Sequence, residues 1–202
     1  MKSIRFLSTS EKEIKDILKA WLAISAAFAI VLSTSILSSD FYYKFIVASL
    51  TVGVGFLLHE LGHKVVAQKY GCFAEFRSFD TMLLLAILMS FFGFVFAAPG
   101  AVMISGRVSK SRNGIISAAG PAVNFVLALI FLLLAFFQLP GILNQIAVYG
   151  FMINSWLGLF NLIPVGFFDG YKILKWNKLA YGILAAAGLA LVSMQYFISF
   201  PR

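Results

Sequence analysis

The sequence predicts an all-α polytopic membrane protein, and three observations support this fold class. Hydrophobic residue types make up 61% of the 202 residues and charged types only 12%, whereas a soluble domain is nearer half apolar and a quarter charged. Several apolar runs are long enough to cross a bilayer as helices. The basic residues cluster between these runs, as in loops on the cytoplasmic side of a membrane. We therefore expect a single membrane-embedded domain over residues 1–202.

The net charge of +8 raises the alternative of nucleic-acid binding. We exclude it because the basic residues stand in short stretches between apolar runs and do not form a patch on a soluble face. Attraction to the anionic headgroups of a lipid bilayer is a sufficient explanation.

Six apolar runs follow one another along the chain. The first follows a polar leader and contains Lys19 near its start, and we expect an uncleaved span there. A cleaved signal peptide is the competing interpretation. The runs cover residues 17–37, 45–67, 81–98, 114–137, 142–168 and 179–200.

The run at 81–98 is the difficult one for topology. The linkers on both of its sides are rich in Lys and Arg, so both of its ends belong on the cytoplasmic side. Residues 101–104 resemble a short strand, and irregular backbone at membrane depth occurs only beside protein or a cavity. We expect a re-entrant or short-strand element at about 81–110 and five spans with the N-terminus inside, or six spans if this run crosses.

The two histidines of the chain both lie in the motif His59-Glu60-Leu61-Gly62-His63. On a helix, residues four apart share one face, so two imidazoles can converge on one metal ion. Glu60 follows the first histidine and can reach water at that metal, as the general base of a zinc metalloprotease does. A chance match is the alternative, but ionisable groups within an apolar run are functional by default.

A catalytic zinc usually has three protein ligands, so a third ligand is needed. Of the eight acidic residues, only Glu60 and Asp169 adjoin the apolar runs directly. Asp169 is therefore the predicted third ligand by elimination, for one zinc ion per chain. The alternative is an aspartate at a helix end that faces water.

Several residues near these motifs are candidates for support or substrate binding. Pro164 and Gly166 should break the fifth run and let Asp169 turn inward. Asn161 is expected to satisfy a freed carbonyl or to bind a substrate backbone. Gly120 and Pro121 should kink the fourth run. For Asn124, a structural hydrogen bond to a neighbouring helix is at least as reasonable as direct catalysis.

At this point the chain resembles the site-2 protease family of intramembrane metalloproteases. Three elements occur in the family's order and together span residues 59–170, more than half of the chain. The motif at 59–63 is similar to its H-E-x-x-H, Gly120-Pro121 with Asn124 to its G-P-x-x-N, and residues 161–164 followed by Asp169-Gly170 to its N-x-x-P…D-G.

The resemblance implies a three-helix catalytic core, built by the second, fourth and fifth runs over about residues 45–170. It also implies that His59, His63 and Asp169 bind Zn²⁺ and that Glu60 is the catalytic acid/base. The first and last runs would then be peripheral and could form a gate. The chain departs from the family in lacking a PDZ-like or CBS-like domain and in carrying the insertion at 81–98.

The predicted function is intramembrane zinc endopeptidase activity on transmembrane segments of substrate proteins, as the resemblance implies. Its partners would be a transmembrane-helix substrate, the lipid bilayer and an upstream protease or regulator, in the cell membrane of a prokaryote with the site toward the cytoplasm. Two alternatives stay open. One is a membrane metal-ion transporter, and the other is a non-proteolytic relative that binds transmembrane helices.

Overall fold

A computed structural model describes residues 8–33, 38–95 and 99–197. Within these ranges the protein has eight α-helices, one π-helical turn and one two-stranded sheet. In chain order they are α1 (Glu11–Leu32), α2 (Ser39–Ala48), the π-turn (Ser49–Gly53), α3 (Val54–Lys69), β1 (Phe73–Ser78), α4 (Asp80–Ser90), β2 (Gly100–Ser105), α5 (Lys110–Phe136), α6 (Ile142–Asn161), α7 (Asp169–Trp176) and α8 (Lys178–Phe197).

Three helices in the described ranges are long and apolar enough to cross a membrane. The first is the continuous helix formed by α2, the π-turn and α3, and the others are α5 and α8. Helix α1 has 22 residues with six charged side chains, and α6 has 20 residues with four Asn or Gln side chains, so neither is among these three. The protein is therefore mostly helical with three candidate spans, and the total of five to six stays a prediction.

The π-turn lies inside the first span, directly before the helix with the two histidines. The indole Nε1 of Trp21 in α1 donates to the carbonyl of Ser49 at 3.0 Å. A Cβ atom on Gly53 would lie 2.8 Å from both Trp21 Cδ1 and Ser25 Oγ, so α1 packs against bare backbone. Single π-turns inside α-helices often occur at functional sites.

The segment that contains α4 begins and ends at the same end of the two-stranded sheet. Strands β1 and β2 pair antiparallel from Phe73 opposite Ser105 to Ser78 opposite Gly100. The ladder continues beyond them, because the amide of Phe79 donates to the carbonyl of Pro99 at 3.0 Å. The strand predicted at 101–104 is thus confirmed within β2. Between the second and third apolar runs, the chain forms the end of α3 and then β1 (Phe73–Ser78).

Two of the three apolar clusters among the described residues account for most of the helix packing, and the smaller third lies around Ala67 and Ile116. One cluster joins α1, the continuous helix of α2, the π-turn and α3, strand β1 and α4. Its buried residues include Ala20, Val52 and Phe76. The other joins α5, α6, α7 and α8 around Phe125, Phe151 and Ile173. Helix α5 contacts both α3 and α7, so it brings the end of the histidine helix close to the start of α7.

Candidate metal centre

Three potential metal ligands converge where α3, α5 and α7 meet. His59 and His63 lie one turn apart on α3, and their Nε2 atoms are 3.1 Å from each other. Oδ2 of Asp169 lies 3.3 Å from Nε2 of His59 and 3.0 Å from Nε2 of His63. All three residues are buried, and their ligand atoms form a small triangle.

Asp169 reaches this triangle because the chain breaks between α6 and α7. Helix α6 ends at Asn161, and Asp169 is the first residue of α7. Gly166 in the intervening loop has a φ of +59°, which glycine adopts without strain. A Cβ atom on Gly170 would lie 2.1 Å from the carbonyl oxygen of Leu162, so only glycine fits there. The predicted break before Asp169 is therefore present.

The triangle has the donor chemistry of a zinc site, and its sides of 3.0, 3.1 and 3.3 Å are close to the ligand separations of such a site. Bonds of about 2.0–2.2 Å in tetrahedral geometry separate zinc ligands by about 3.3–3.6 Å. Nδ1 of His59 contacts Oδ1 of Asn124 at 2.6 Å, and Nδ1 of His63 contacts the carbonyl of Ile116 at 2.7 Å. Because both partners are acceptors, Nδ1 carries the proton in each ring and Nε2 presents a lone pair. Two lone pairs and a carboxylate oxygen then face one point, which a cation would satisfy.

A chain of buried amides holds His59 from behind. Nδ2 of Asn124 donates to the carbonyl of Gly55 at 3.2 Å and to Oδ1 of Asn154 at 3.0 Å. Nδ2 of Asn154 in turn donates to the carbonyl of Gly150 at 2.9 Å. The oxygen of Asn124 must therefore be the atom that faces His59. Asn154 is absent from the sequence-based candidates, although an asparagine inside an apolar run was a signal for it.

Glycines let the helices approach the imidazoles. A Cβ atom on Gly120 would lie 2.5 Å from Nε2 of His63 and 2.6 Å from Nε2 of His59. One on Gly62 would lie 3.0 Å from Val123 and 3.2 Å from the carbonyl oxygen of Ala119. Pro121 lies inside α5, which continues to Phe136. Gly120 thus borders the candidate centre itself, and Gly62 permits close packing of α3 on α5.

Glu60 faces a cavity of about 520 Å³ that also exposes the three candidate ligands. Its Oε2 atom accepts a hydrogen bond from the backbone amide of Val102 in β2 at 3.0 Å. Asn161 lines the same cavity, and its Nδ2 donates to Leu157 in its own helix at 2.9 Å. The arrangement places a carboxylate, an amide-bearing side chain and a strand edge beside one candidate metal position.

Comparison with known proteins finds relatives over nearly the whole chain. It is 40% identical over 194 residues to "Putative zinc metalloprotease MJ0611" of Methanocaldococcus jannaschii, which covers 95% of this chain and 96% of that protein. It is 31% identical over 147 residues to "Zinc metalloprotease MJ0392" of the same organism, covering 72% of this chain and 38% of that protein. "Putative zinc metalloprotease YwhC" of Bacillus subtilis is 30% identical over 149 residues, covering 62% of this chain and 66% of that protein. No protein-family model and no solved structure matches the chain.

Proposed function

Because the chain belongs to the zinc metalloprotease family of these relatives, we propose that it is an intramembrane zinc endopeptidase of the site-2 protease type. One zinc ion is held by His59, His63 and Asp169, and Glu60 is the general base. The observation that carries this proposal is the convergence of two Nε2 lone pairs and a carboxylate oxygen beside Glu60.

The apolar surroundings of the site support a substrate that lies in the bilayer. His59 and His63 belong to an apolar helix of 31 residues, and α5, which packs against them, is the second candidate span. The cavity beside the candidate ligands is also lined mostly by apolar residues, among them Phe56, Phe160 and Phe167. The substrate class is therefore a transmembrane helix. The enzyme that cuts it is a single membrane-embedded domain.

The chemistry is hydrolysis of a peptide bond. A bound zinc ion would lower the pKa of a water molecule and polarise the scissile carbonyl. Glu60 would act as general base, taking a proton from the attacking water and delivering it to the leaving amine. The amide of Val102 holds Oε2 of Glu60, so Oε1 is the atom that can carry the proton. His59 and His63 keep their orientation through Asn124 and the carbonyl of Ile116.

Strand β2 offers a place for an unwound substrate segment. One edge of β2 pairs with β1, and Gly100, Val102 and Ile104 line the cavity. An extended segment could add to the other edge of β2, which faces the cavity, by backbone hydrogen bonds, as in strand addition. Such pairing would hold the scissile bond in an extended form beside the metal ligands.

The basic residues favour a cytoplasmic site and N-terminus. The starts of α1 and α5, the end of α3 and helix α7 lie at one end, since Glu13 meets Lys64 and His63 meets Ile116. That end also carries Lys69 at the end of α3 and Lys172 and Lys175 in α7. Loops rich in Lys and Arg face the cytoplasm. We place the protein in a prokaryotic cell membrane, with an upstream protease or regulator as an expected partner.

The test compares the wild type with Glu60→Gln and Asp169→Ala in proteoliposomes that contain a panel of single-span substrates. The wild type should bind one zinc per chain and cut inside a transmembrane segment. Glu60→Gln should keep zinc and lose cleavage, whereas Asp169→Ala should lose zinc. Cleavage by zinc-loaded Glu60→Gln would contradict the mechanism. Metal flux without cleavage would instead support a transporter, and substrate binding without cleavage a non-proteolytic relative.

A further inference from the structure

A buried ion pair connects α1 to the histidine helix. Nζ of Lys64 lies 2.8 Å and 2.7 Å from the two carboxylate oxygens of Glu13. The side chains of Lys64 and Glu13 are 1% and 0% exposed. A third contact, from Nζ of Lys64 to Oγ1 of Thr9, has a length of 3.0 Å. Removing one member of such a pair leaves an uncompensated charge, whereas replacing both members by apolar residues is often neutral.

Glu13 also holds the sheet. Its Oε1 atom accepts a hydrogen bond from the backbone amide of Phe76 in β1 at 2.9 Å. Phe76 is the residue directly opposite Val102 in the antiparallel ladder. The amide of Val102 points to the other side and donates to Glu60 at 3.0 Å. Both amides bond outside the ladder, as in a non-hydrogen-bonded pair.

These contacts close a ring that starts and ends on α3. Glu60 binds Val102, Val102 stands opposite Phe76, Phe76 binds Glu13, and Glu13 binds Lys64. Lys64 lies four residues after Glu60, hence on the same face of the helix. Glu13 thus binds the outer edge of β1, and Glu60 binds the outer edge of β2. The two strand residues that they bind, Phe76 and Val102, stand opposite each other.

From this ring we infer that Glu13 is a positioning residue, which fixes the sheet so that Val102 orients Glu60. This inference rests on the proposed role of Glu60. Lys64 holds the Glu13 carboxylate in place through contacts with both of its oxygens, and the carboxylate holds β1 through Phe76. Strand β1 carries β2, whose amide fixes one oxygen of Glu60 and leaves the other free for the proton. A helix that supplies no metal ligand therefore controls the geometry of the general base.

Two double variants isolate the hydrogen bond to Phe76 from the charge pair. Glu13→Gln with Lys64→Met removes both charges and keeps an acceptor at residue 13. Glu13→Met with Lys64→Met removes both charges and the acceptor, with a side chain of similar size. The two proteins differ only at residue 13, where Gln alone presents an amide oxygen to the Phe76 amide, and zinc content is measured in both as a check on the metal ligands.

Hydrogen exchange of the Val102 amide, measured without substrate, is the first readout. We expect exchange about tenfold faster in the Glu13→Met double variant than in the Glu13→Gln double variant, with equal zinc content. The second readout is cleavage at saturating substrate, which should be about tenfold slower in the Glu13→Met double variant. A factor of ten corresponds to about 1.4 kcal/mol. A merely structural role would change unfolding without separating the two zinc-loaded variants in this way.

Equal Val102 exchange or equal cleavage in the two double variants would overturn the inference. If the Glu13→Met double variant does not fold, exchange in the wild type decides. The Phe76 amide should then be as protected as the paired amides of the ladder, and fast exchange would refute the bond to Glu13. A wild type that cuts no transmembrane substrate would refute the proposed function, while the exchange comparison still tests the ring.

Discussion

Oδ1 of Asn124 lies 2.6 Å from Nδ1 of His59, and this contact fixes which nitrogen of the ring is free for a metal. The partner that orients a metal-binding histidine raises its basicity and selects its tautomer. Here that partner is itself held from a third helix, because Asn124 donates to Asn154. Several variants separate this support from the ligands themselves.

Asn124→Leu should weaken zinc binding about 10- to 100-fold, because the ring of His59 loses its acceptor. The measurement is a competition titration with a zinc chelator on purified protein. Asn161→Leu is the matched control, since its amide bonds to Leu157 in its own helix and touches neither histidine. Equal zinc affinity in the Asn124 variant and the wild type would refute this role.

Gly120→Ala should reduce zinc occupancy strongly while the helices still form. The added Cβ atom would lie 2.5 Å from Nε2 of His63, so the imidazoles must move off the common point. Gly182→Ala in α8 is the control, because nothing lies within 4 Å of its added Cβ. The measurement is zinc content per chain after dialysis. Full zinc occupancy in the Gly120 variant would contradict the prediction and show that α5 can move away from α3.

Gly53→Ala should destabilise the protein by about 1–3 kcal/mol through overpacking at the π-turn. The added Cβ atom would meet Trp21 and Ser25 at 2.8 Å. Thermal unfolding in detergent measures the effect, again with Gly182→Ala as the control. Combining Gly53→Ala with Trp21→Ala should recover part of the loss. If Gly53→Ala alone left the unfolding midpoint unchanged, α1 would not be packed against the π-turn.

The contact between α1 and α4 should weaken only in acid. The hydrogen bond from Lys19 lowers the pKa of the exposed Asp80 carboxyl from its ordinary 3.8. A carboxyl with a lowered folded-state pKa stabilises above its unfolded-state value and loses this contribution as pH falls through the folded-state value. A spin label at Leu88→Cys, in a Cys72→Ala background, should therefore gain mobility below about pH 4. Asp80→Asn should give the mobile spectrum at neutral pH, and a spectrum independent of both changes would contradict the contact.

The parts of the fold predicted from sequence are those that depend on local pattern. The spacing of His59 and His63 places them on one helix face, and Pro164 with Gly166 ends α6 before Asp169. The apolar stretch at 101–104 lies within β2 as expected. The structure brings His59, His63 and Asp169 together, and their binding of zinc stays a prediction.

The missed features depend on contacts between distant parts of the chain. Strand β1 is short, contains Glu75 and Arg77, and resembles a polar linker until β2 pairs with it. Glu13 belongs to a leader with charges of both signs, and only the fold shows that it is buried against Lys64. The helix that contains the second run extends beyond the predicted residues 45–67, because the π-turn continues it from Ser39 to Lys69.

The bond between Phe79 and Pro99 makes the excursion through α4 a closed side loop. A segment whose two ends already meet can grow, shrink or change composition without displacing the strands on either side. Substitutions and length changes within this loop therefore leave unchanged the strand register that presents Val102 to Glu60.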